Sequence, residues 1–378
     1  MGNCIHNKKI ILDVSDRLEI IYGACPCELL KIMYKNKLLH DTLFSDFNII
    51  LFTLLEAELS NIETKLFSTN TIYGAYTIDG NVFVWGNYNN FTKTILNTNV
   101  VKLLYTSYSI VMIKDNTNIS IMYSNNTGIY NKDILESKLS KGIETIVSSD
   151  ISYSALMLDG SVIYWDICIE DIYDESILKS GITNIISNKG AFAAIKNNGS
   201  VITWGHPHYG GDSNKIKKEL SKDVISIYST ISAFAALKSN GSVITWGYSE
   251  YGGDSSLVST KLQSDVVKIF SSRRVFVALK KDGSVVSWGN YKDGGDSSKV
   301  SSQLMSNVYN VYPCSYSFAV LKNDGSVVTW GEPEYGGDSS SVSSLLTKVK
   351  NIIPNKEEHF FTALKSDGTS VSWGLKIQ

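Results

Sequence analysis

The sequence predicts an all-β chain: a closed β-propeller of repeats about 42 residues long, over residues 60–378, preceded by a small α/β segment over 1–59. Three observations predict it. First, the tryptophans keep one register. Trp204, Trp246, Trp288, Trp330 and Trp373 follow one another at 42, 42, 42 and 43 residues, Trp165 precedes Trp204 by 39, and Trp85 lies 80 earlier, which is about two periods. Second, Gly80, Gly160, Gly199, Gly241, Gly283, Gly325 and Gly368 each stand five residues before one of these tryptophans. Third, short β-branched and aromatic runs flank every glycine. A period of 20–50 residues marks one supersecondary unit copied many times, and many short strands at even spacing with one aromatic motif each suit a propeller.

The amino-terminal segment does not fit the repeat. Glu28-Leu-Leu-Lys-Ile-Met-Tyr-Lys reads as weakly helical, and Phe47-Asn-Ile-Ile-Leu-Phe-Thr-Leu-Leu as a buried strand or helix. Such a segment could cap the ring or close it. Met1-Gly2-Asn3-Cys4 has the form of a dual acylation start, Gly2 for myristate and Cys4 for palmitate with Lys8-Lys9 adding weak attraction, although His6 stands where Ser or Thr is expected.

Within a repeat, Val266-Val-Lys-Ile-Phe270, Val275-Phe-Val-Ala-Leu-Lys280 and Val285-Val-Ser-Trp-Gly289 read as three antiparallel strands. Asp282-Gly283 between the last two is a hairpin signal, read as a two-residue loop in which Gly accepts a positive φ. First strands are expected to start near Ile62, Val100, Ile143, Ile182, Val224, Val266, Val308 and Val349, which makes eight copies. The second copy is degenerate, with Lys114-Asp-Asn-Thr117 for the glycine turn and Ile121-Met-Tyr123 for Trp-Gly. In Val243-Ile-Thr-Trp246, Ile and Trp point to one face and Val and Thr to the other. Both faces are therefore suited to packing between sheets, with each tryptophan a wedge.

The loops after the third strands carry Gly-Gly-Asp-Ser at 210–213, 252–255, 294–297 and 336–339. Asp212, Asp254, Asp296 and Asp338 could in principle hold cations, but Asp after two glycines is better read as a turn whose side chain binds nearby backbone N–H groups. His206-Pro207-His208 lacks a third ligand for a metal, and Cys25-Pro26-Cys27 lacks the second pair of a zinc site. No nucleophile elbow, phosphate loop or paired acid appears, so no cofactor, no metal and no enzyme activity are expected.

Composition narrows the partners. The net charge is −2, and of 35 basic residues only Arg17, Arg273 and Arg274 are arginines. Nucleic acid is therefore not an expected partner. Five cysteines without repeat-linked spacing do not make a disulfide framework. With no signal peptide or membrane span expected, the reading is an intracellular, cytoplasmic monomer (in a host cell or virion, should the AT-rich composition be viral) that meets a membrane only if acylated.

The stretch Phe-Ala-Ala-Leu-Lys-Ser-Asn-Gly-Ser-Val-Ile-Thr-Trp-Gly, residues 234–247, resembles the repeat of the regulator of chromosome condensation family, over about residues 60–374. The short unit looks closer to compact bacterial members, including secreted propeller inhibitors of β-lactamases. The resemblance implies a propeller, seven-bladed in most of the family; with eight copies here, either the ring has eight blades or one copy is not a full blade. The family's histidine before the Ala-Leu strand is replaced by Ala233, Val275 and Ser317, and its Gly-Gln-Leu-Gly loop by Gly-Gly-Asp-Ser. The intervals leave no room for the inserted wedge with which founding members release nucleotide from a small GTPase.

The four residues after each Trp-Gly vary while the framework does not. They place His208, Tyr209, Tyr248, Glu250, Tyr251, Tyr291, Asp293, Glu334 and Tyr335 on one rim. Tyrosines among mixed charges resemble an interface, although a single Tyr stacking on the loop glycines is the plainer expectation. The expected function is a non-catalytic scaffold or adaptor that binds a protein through this rim. The alternatives are a guanine-nucleotide exchange factor and a substrate receptor of a ubiquitin ligase.

Overall fold

The computed structural model describes residues 132–166 and 180–374 without a break, and before them 18–22, 30–34, 37–42, 64–68, 72–77, 80–86, 95–97, 99–106, 109–114 and 119–123. The acylation candidates Gly2 and Cys4, and Cys25, Cys27 and Cys168, lie outside the described residues. The chain divides into two compact units, Met1–Gly142 with Ile167–Glu170, and Ile143–Asp166 with Asp171–Gln378.

In the first unit, β1 (Leu18–Tyr22), β2 (Leu30–Tyr34) and β3 (Lys37–Thr42) form an antiparallel sheet. The stretch expected to be weakly helical is thus the strand β2. Leu30-Lys-Ile-Met-Tyr34 is a short, mostly apolar run, and its backbone pairs on both sides, with β1 and with β3, which a helix could not do. β4 (Thr64–Ser68), β5 (Ile72–Thr77), β6 (Val82–Gly86) and β7 (Ile95–Asn97) make a four-stranded sheet, which begins two residues after the expected Ile62 and contains Trp85. β8 (Val100–Tyr105), β9 (Ser109–Lys114) and β10 (Ile119–Tyr123) follow. The degenerate second copy therefore folds as a complete sheet, since Ile110, Val111, Met112 and Ile121 are buried without the help of a tryptophan. The helix α1 (Lys132–Leu139) buries Leu135 and Leu139 on one face.

The second unit contains six three-stranded meanders, each in the order first–second–third. They are β11 (Ile143–Ser148), β12 (Ser152–Met157) and β13 (Val162–Asp166); β14 (Ile182–Ser187), β15 (Ala191–Lys196) and β16 (Val201–Gly205); β17 (Val224–Ser229), β18 (Ala233–Lys238) and β19 (Val243–Gly247); β20 (Val266–Ser271), β21 (Val275–Lys280) and β22 (Val285–Gly289); β23 (Val308–Pro313), β24 (Ser317–Lys322) and β25 (Val327–Gly331); and β26 (Val349–Asn355), β27 (Phe360–Lys365) and β28 (Ser370–Gly374). All six first strands start at the expected residue.

The two faces of a sheet have different jobs. On β18, Phe234 and Ala236 join Trp246 in a core with Ala191, Ala193, Ile195 and Val201 of the preceding sheet. Ala233, Ala235 and Leu237 enter a different core with Phe276, Ala278 and Trp288 of the next. Each layer is thus small side chains from one sheet against an aromatic pair from its successor. Those pairs lie opposite each other in the register, such as Phe276 and Trp288. Their rings stack at 5.2 to 5.6 Å from Tyr153–Trp165 to Phe361–Trp373. Trp165, Trp204, Trp246, Trp288, Trp330 and Trp373 are all buried, which is the wedge arrangement expected from their register.

The glycine loops tie each repeat to the next. The indole N–H groups of Trp246, Trp288, Trp330 and Trp373 donate to the carbonyls of Gly210, Gly252, Gly294 and Gly336 in the preceding loop, at 2.9 to 3.1 Å. Gly252 has φ +91° and lies so close to Phe276 that a Cβ would come within 2.6 Å of the ring. The Asp of the motif is a turn residue, as expected. The carboxylates of Asp212, Asp254, Asp296 and Asp338 accept the N–H two residues on at 2.8 to 2.9 Å. The Ser that follows bonds the third strand, as in Thr245 Oγ1 to Ser255 Oγ at 2.9 Å.

The hairpins correct one expectation. Gly283 N–H donates to Lys280 O and Lys280 N–H to Ser284 O, both at 2.9 Å, so the loop has three residues. Only the glycine takes a positive φ, +76°. Asp282 keeps a negative φ because its carboxylate accepts both the N–H and the hydroxyl of Ser284, at 2.9 and 2.6 Å. Those two bonds hold the Asp282 carboxyl below the usual carboxylate range. At this end the hairpin glycine also starts the next sheet, since Val308 N–H donates to Gly283 O at 3.1 Å.

Candidate protein-binding face

At the opposite end, the turns between first and second strands meet the loops that follow Trp-Gly. His206 N–H donates to Gly190 O at 2.8 Å and Asn188 Nδ2 to Tyr209 O at 2.7 Å. Thr230 Oγ1 donates to Tyr251 O at 2.8 Å in the next sheet. Consecutive turns are bonded in series: Asp150 N–H to Lys189 O (3.0 Å), Lys189 N–H to Ile231 O (3.1 Å) and Ile231 N–H to Arg273 O (2.9 Å). Backbones this close show that the sheets converge at this end, so turn residues far apart in sequence become neighbours.

The post-tryptophan loops fold locally as short helical turns, at Pro207–Tyr209, Ser249–Tyr251, Tyr291–Gly295 and Pro333–Tyr335. Pro207 and Pro333 suit a first helical position because it needs no N–H donor. A left-handed glycine ends three of them, at 210, 252 and 336. This geometry leaves His208, Glu250, Tyr291 and Glu334 exposed and Tyr209, Tyr248, Tyr251 and Tyr335 half-buried. Tyr209 lies flat enough on Gly190 that a Cβ there would come within 2.7 Å of its ring, the structural stacking expected for a single Tyr.

The rings join into a belt. His208 and Tyr248 centroids are 4.3 Å apart, and Tyr248 and Tyr251 are 5.3 Å apart. The Arg274 guanidinium lies 5.2 Å from the centre of Tyr251. Arg273 stands 5.5 Å from the centre of Tyr316, which touches Tyr335 at 5.1 Å and His359 at 5.4 Å. The belt crosses five consecutive sheets. Of the residues expected on the rim, it gathers His208, Tyr209, Tyr248, Tyr251 and Tyr335. Tyr291, Glu250 and Glu334 have no ring contact in it.

Asp293 is not displayed. It is 6% exposed, at the position where other repeats have Tyr209, Tyr251 and Tyr335. Its Oδ2 lies 3.6 Å from Arg274 Nη1. Burial pushes the Asp293 carboxyl above the usual carboxylate range, the Arg274 charge opposes this, and Glu332 adds to it.

Arg273, Arg274, Tyr316 and His359 were not singled out from the sequence. The signal for the arginines was present in the composition, since two of the three arginines of the chain are adjacent in one turn. Tyr316 and His359 carry no mark, because the strand 1–2 turns have no framework residue to align them.

Among the described residues, no group of three His, Cys, Asp or Glu could hold a metal ion, and no helix is long and apolar enough to cross a membrane. Cys314 is buried, which pushes its thiol up and makes it a poor nucleophile. The belt presents cations on aromatic faces, a means of recognition.

No protein-family model matches the chain, and no curated protein does. Among solved structures, the chain is similar to yeast RCC1 (Prp20) as seen bound to Kap60, at 17% identity over 83% of this chain and 90% of that one, with a TM-score of 0.37. Prp20p from Saccharomyces cerevisiae, described with its binding to Gsp1p and histones, gives 16% over 84% and 82% with a TM-score of 0.36. The CRINKLY WD40 ectodomain of the Arabidopsis thaliana receptor kinase ACR4 gives 14% over 71% and 93%, also at 0.36. At these values the likenesses carry no argument about function, and the repeat architecture rests on the sheets themselves.

Proposed function

We propose that this chain is a non-catalytic protein-interaction module, a closed propeller that receives a protein partner on the face where the strand 1–2 turns and the post-tryptophan loops meet. The belt of Tyr, His and Arg side chains across five consecutive sheets carries the reading. Aromatic residues and arginine dominate binding hot spots because they offer large, stiff contact areas at low entropic cost. The last four linkers fold as short turns docked against their own and the following sheet, which lends no support to an exchange factor that works through an inserted wedge, and no observation points to a ubiquitin ligase.

The test is affinity capture from the native cell with the whole chain, with Tyr251→Ala/Tyr335→Ala and with Lys281→Gln, which lies in a hairpin at the other end. We expect a protein held by the whole chain and by Lys281→Gln and lost with the double variant, whose melting temperature stays close to that of the parent. Capture unaffected by the tyrosine changes would move the interface elsewhere. Acceleration of nucleotide release from a small GTPase would restore the exchange-factor alternative.

A further inference from the structure

The basic side chains of this chain are almost all lysine, yet the middle of the face carries adjacent arginines. Tyr251 of the third sheet lies under Arg274, and Tyr316 of the fifth lies under Arg273. A guanidinium on a ring is held flat and poorly hydrated, with its fork of N–H donors free to meet a planar acceptor, which a lysine ammonium cannot reproduce. Arg274 is already engaged by the buried Asp293. Arg273 is exposed, and among the described residues no carboxylate comes within ion-pair reach of it. Arg273 is thus the guanidinium left without a direct ionic partner among the described residues. A carboxylate would bring it one negative charge, whereas a phosphate dianion would bring two beside the Asp293 and Glu332 carboxylates already near this turn.

Resting on the protein-binding reading of this face, we infer that Arg273 anchors a carboxylate of the partner, an Asp or Glu side chain in an exposed segment laid between Tyr251 and Tyr316. Asp293 and Tyr251 position Arg274 beside it. The anchor supplies specificity, and the flanking rings supply most of the contact area.

A library of random peptides displayed on phage and selected against the full chain tests this. The recovered peptides are resynthesised with each Asp or Glu changed to its amide or to phosphoserine, and their binding is read by fluorescence anisotropy. We expect recovered sequences rich in Asp or Glu, a loss of about tenfold on amide replacement, no such loss when the receptor is Arg273→Gln, and only partial recovery in Arg273→Lys. The carboxylate anchor is overturned if the amides bind equally, if the loss persists in Arg273→Gln, if phosphoserine binds better, or if no peptide is recovered. Peptides indifferent to acidity but lost with Tyr251→Ala/Tyr335→Ala would sink the anchor and leave the face standing. Peptides indifferent to the tyrosines as well would remove both.

Discussion

At Asp293 the chain places a charge where three other repeats place a phenol. Its carboxyl is raised chiefly by burial, so the folded state holds the proton more tightly than the unfolded chain does. For such an acid the contribution to stability is greatest below the ordinary carboxylate range and declines as pH climbs from that range to the raised value. Asparagine has the same shape and no charge. Asp293→Asn is therefore expected to melt above the parent at neutral pH, with the difference vanishing in acid where both side chains are neutral. Thermal melts across pH check this, and a variant less stable than the parent at pH 7 would mean that the Arg274 pair outweighs burial. A higher melting temperature for Asp293→Asn would mark this as a place where stability is given up for binding. How legible such residues are depends on whether a copy elsewhere provides contrast. The tryptophans and Tyr251 and Tyr335 stand out because four loops align on Trp-Gly. Asp293 aligns with them too, but its partner Arg274 sits in a turn that has no fixed landmark.

The elements divide in the same way. Strand starts and sheet order are legible because β-branched runs, glycine turns and Trp-Gly recur at fixed offsets. The linkers between sheets read only as polar, and their anchors went unseen. Leu220, Leu262 and Leu304 each lie four residues before a first strand, Leu346 lies three before one, and all four are buried. A single apolar residue in a serine-rich stretch has no periodicity to betray it. The linker Ser256–Leu262 contains its own control, since Leu262 is 2% exposed and packs with Val266 and Trp288, while Leu257 is 100% exposed. Leu262→Ala should cost about 2–5 kcal/mol and Leu257→Ala no more than about 0.5 kcal/mol in denaturant unfolding. Equal effects would show that the linker is not docked through its last leucine.

At the scale of the whole molecule, the repeat has a direction. Each loop glycine accepts from the indole of the following sheet, and each small-residue face receives the aromatic pair of the following sheet, so an array of such sheets always ends on a face that expects one more. In the second unit that face belongs to β27. Leu364 there is 38% exposed, whereas its equivalents Leu237 and Leu321 are 3% exposed beneath the next sheet. A closed ring, as proposed, would cover it with a sheet from earlier in the chain, because stacked repeats gain their stability from neighbour contacts and a free end frays first. Leu364→Asp separates the possibilities. In a closed ring it buries a carboxylate between sheets and should lower stability by at least the several kcal/mol of a core truncation, and amides of β26 to β28 should exchange as slowly as those of β20 to β22. In an open array the same substitution is a surface change, within about 0.5 kcal/mol of the parent, and the last sheet exchanges ahead of the rest. Melting of the variant together with hydrogen exchange of the parent therefore decides closure, and a neutral Leu364→Asp with a fast-exchanging last sheet would refute the ring while leaving the belt, which lies wholly within the second unit, in place.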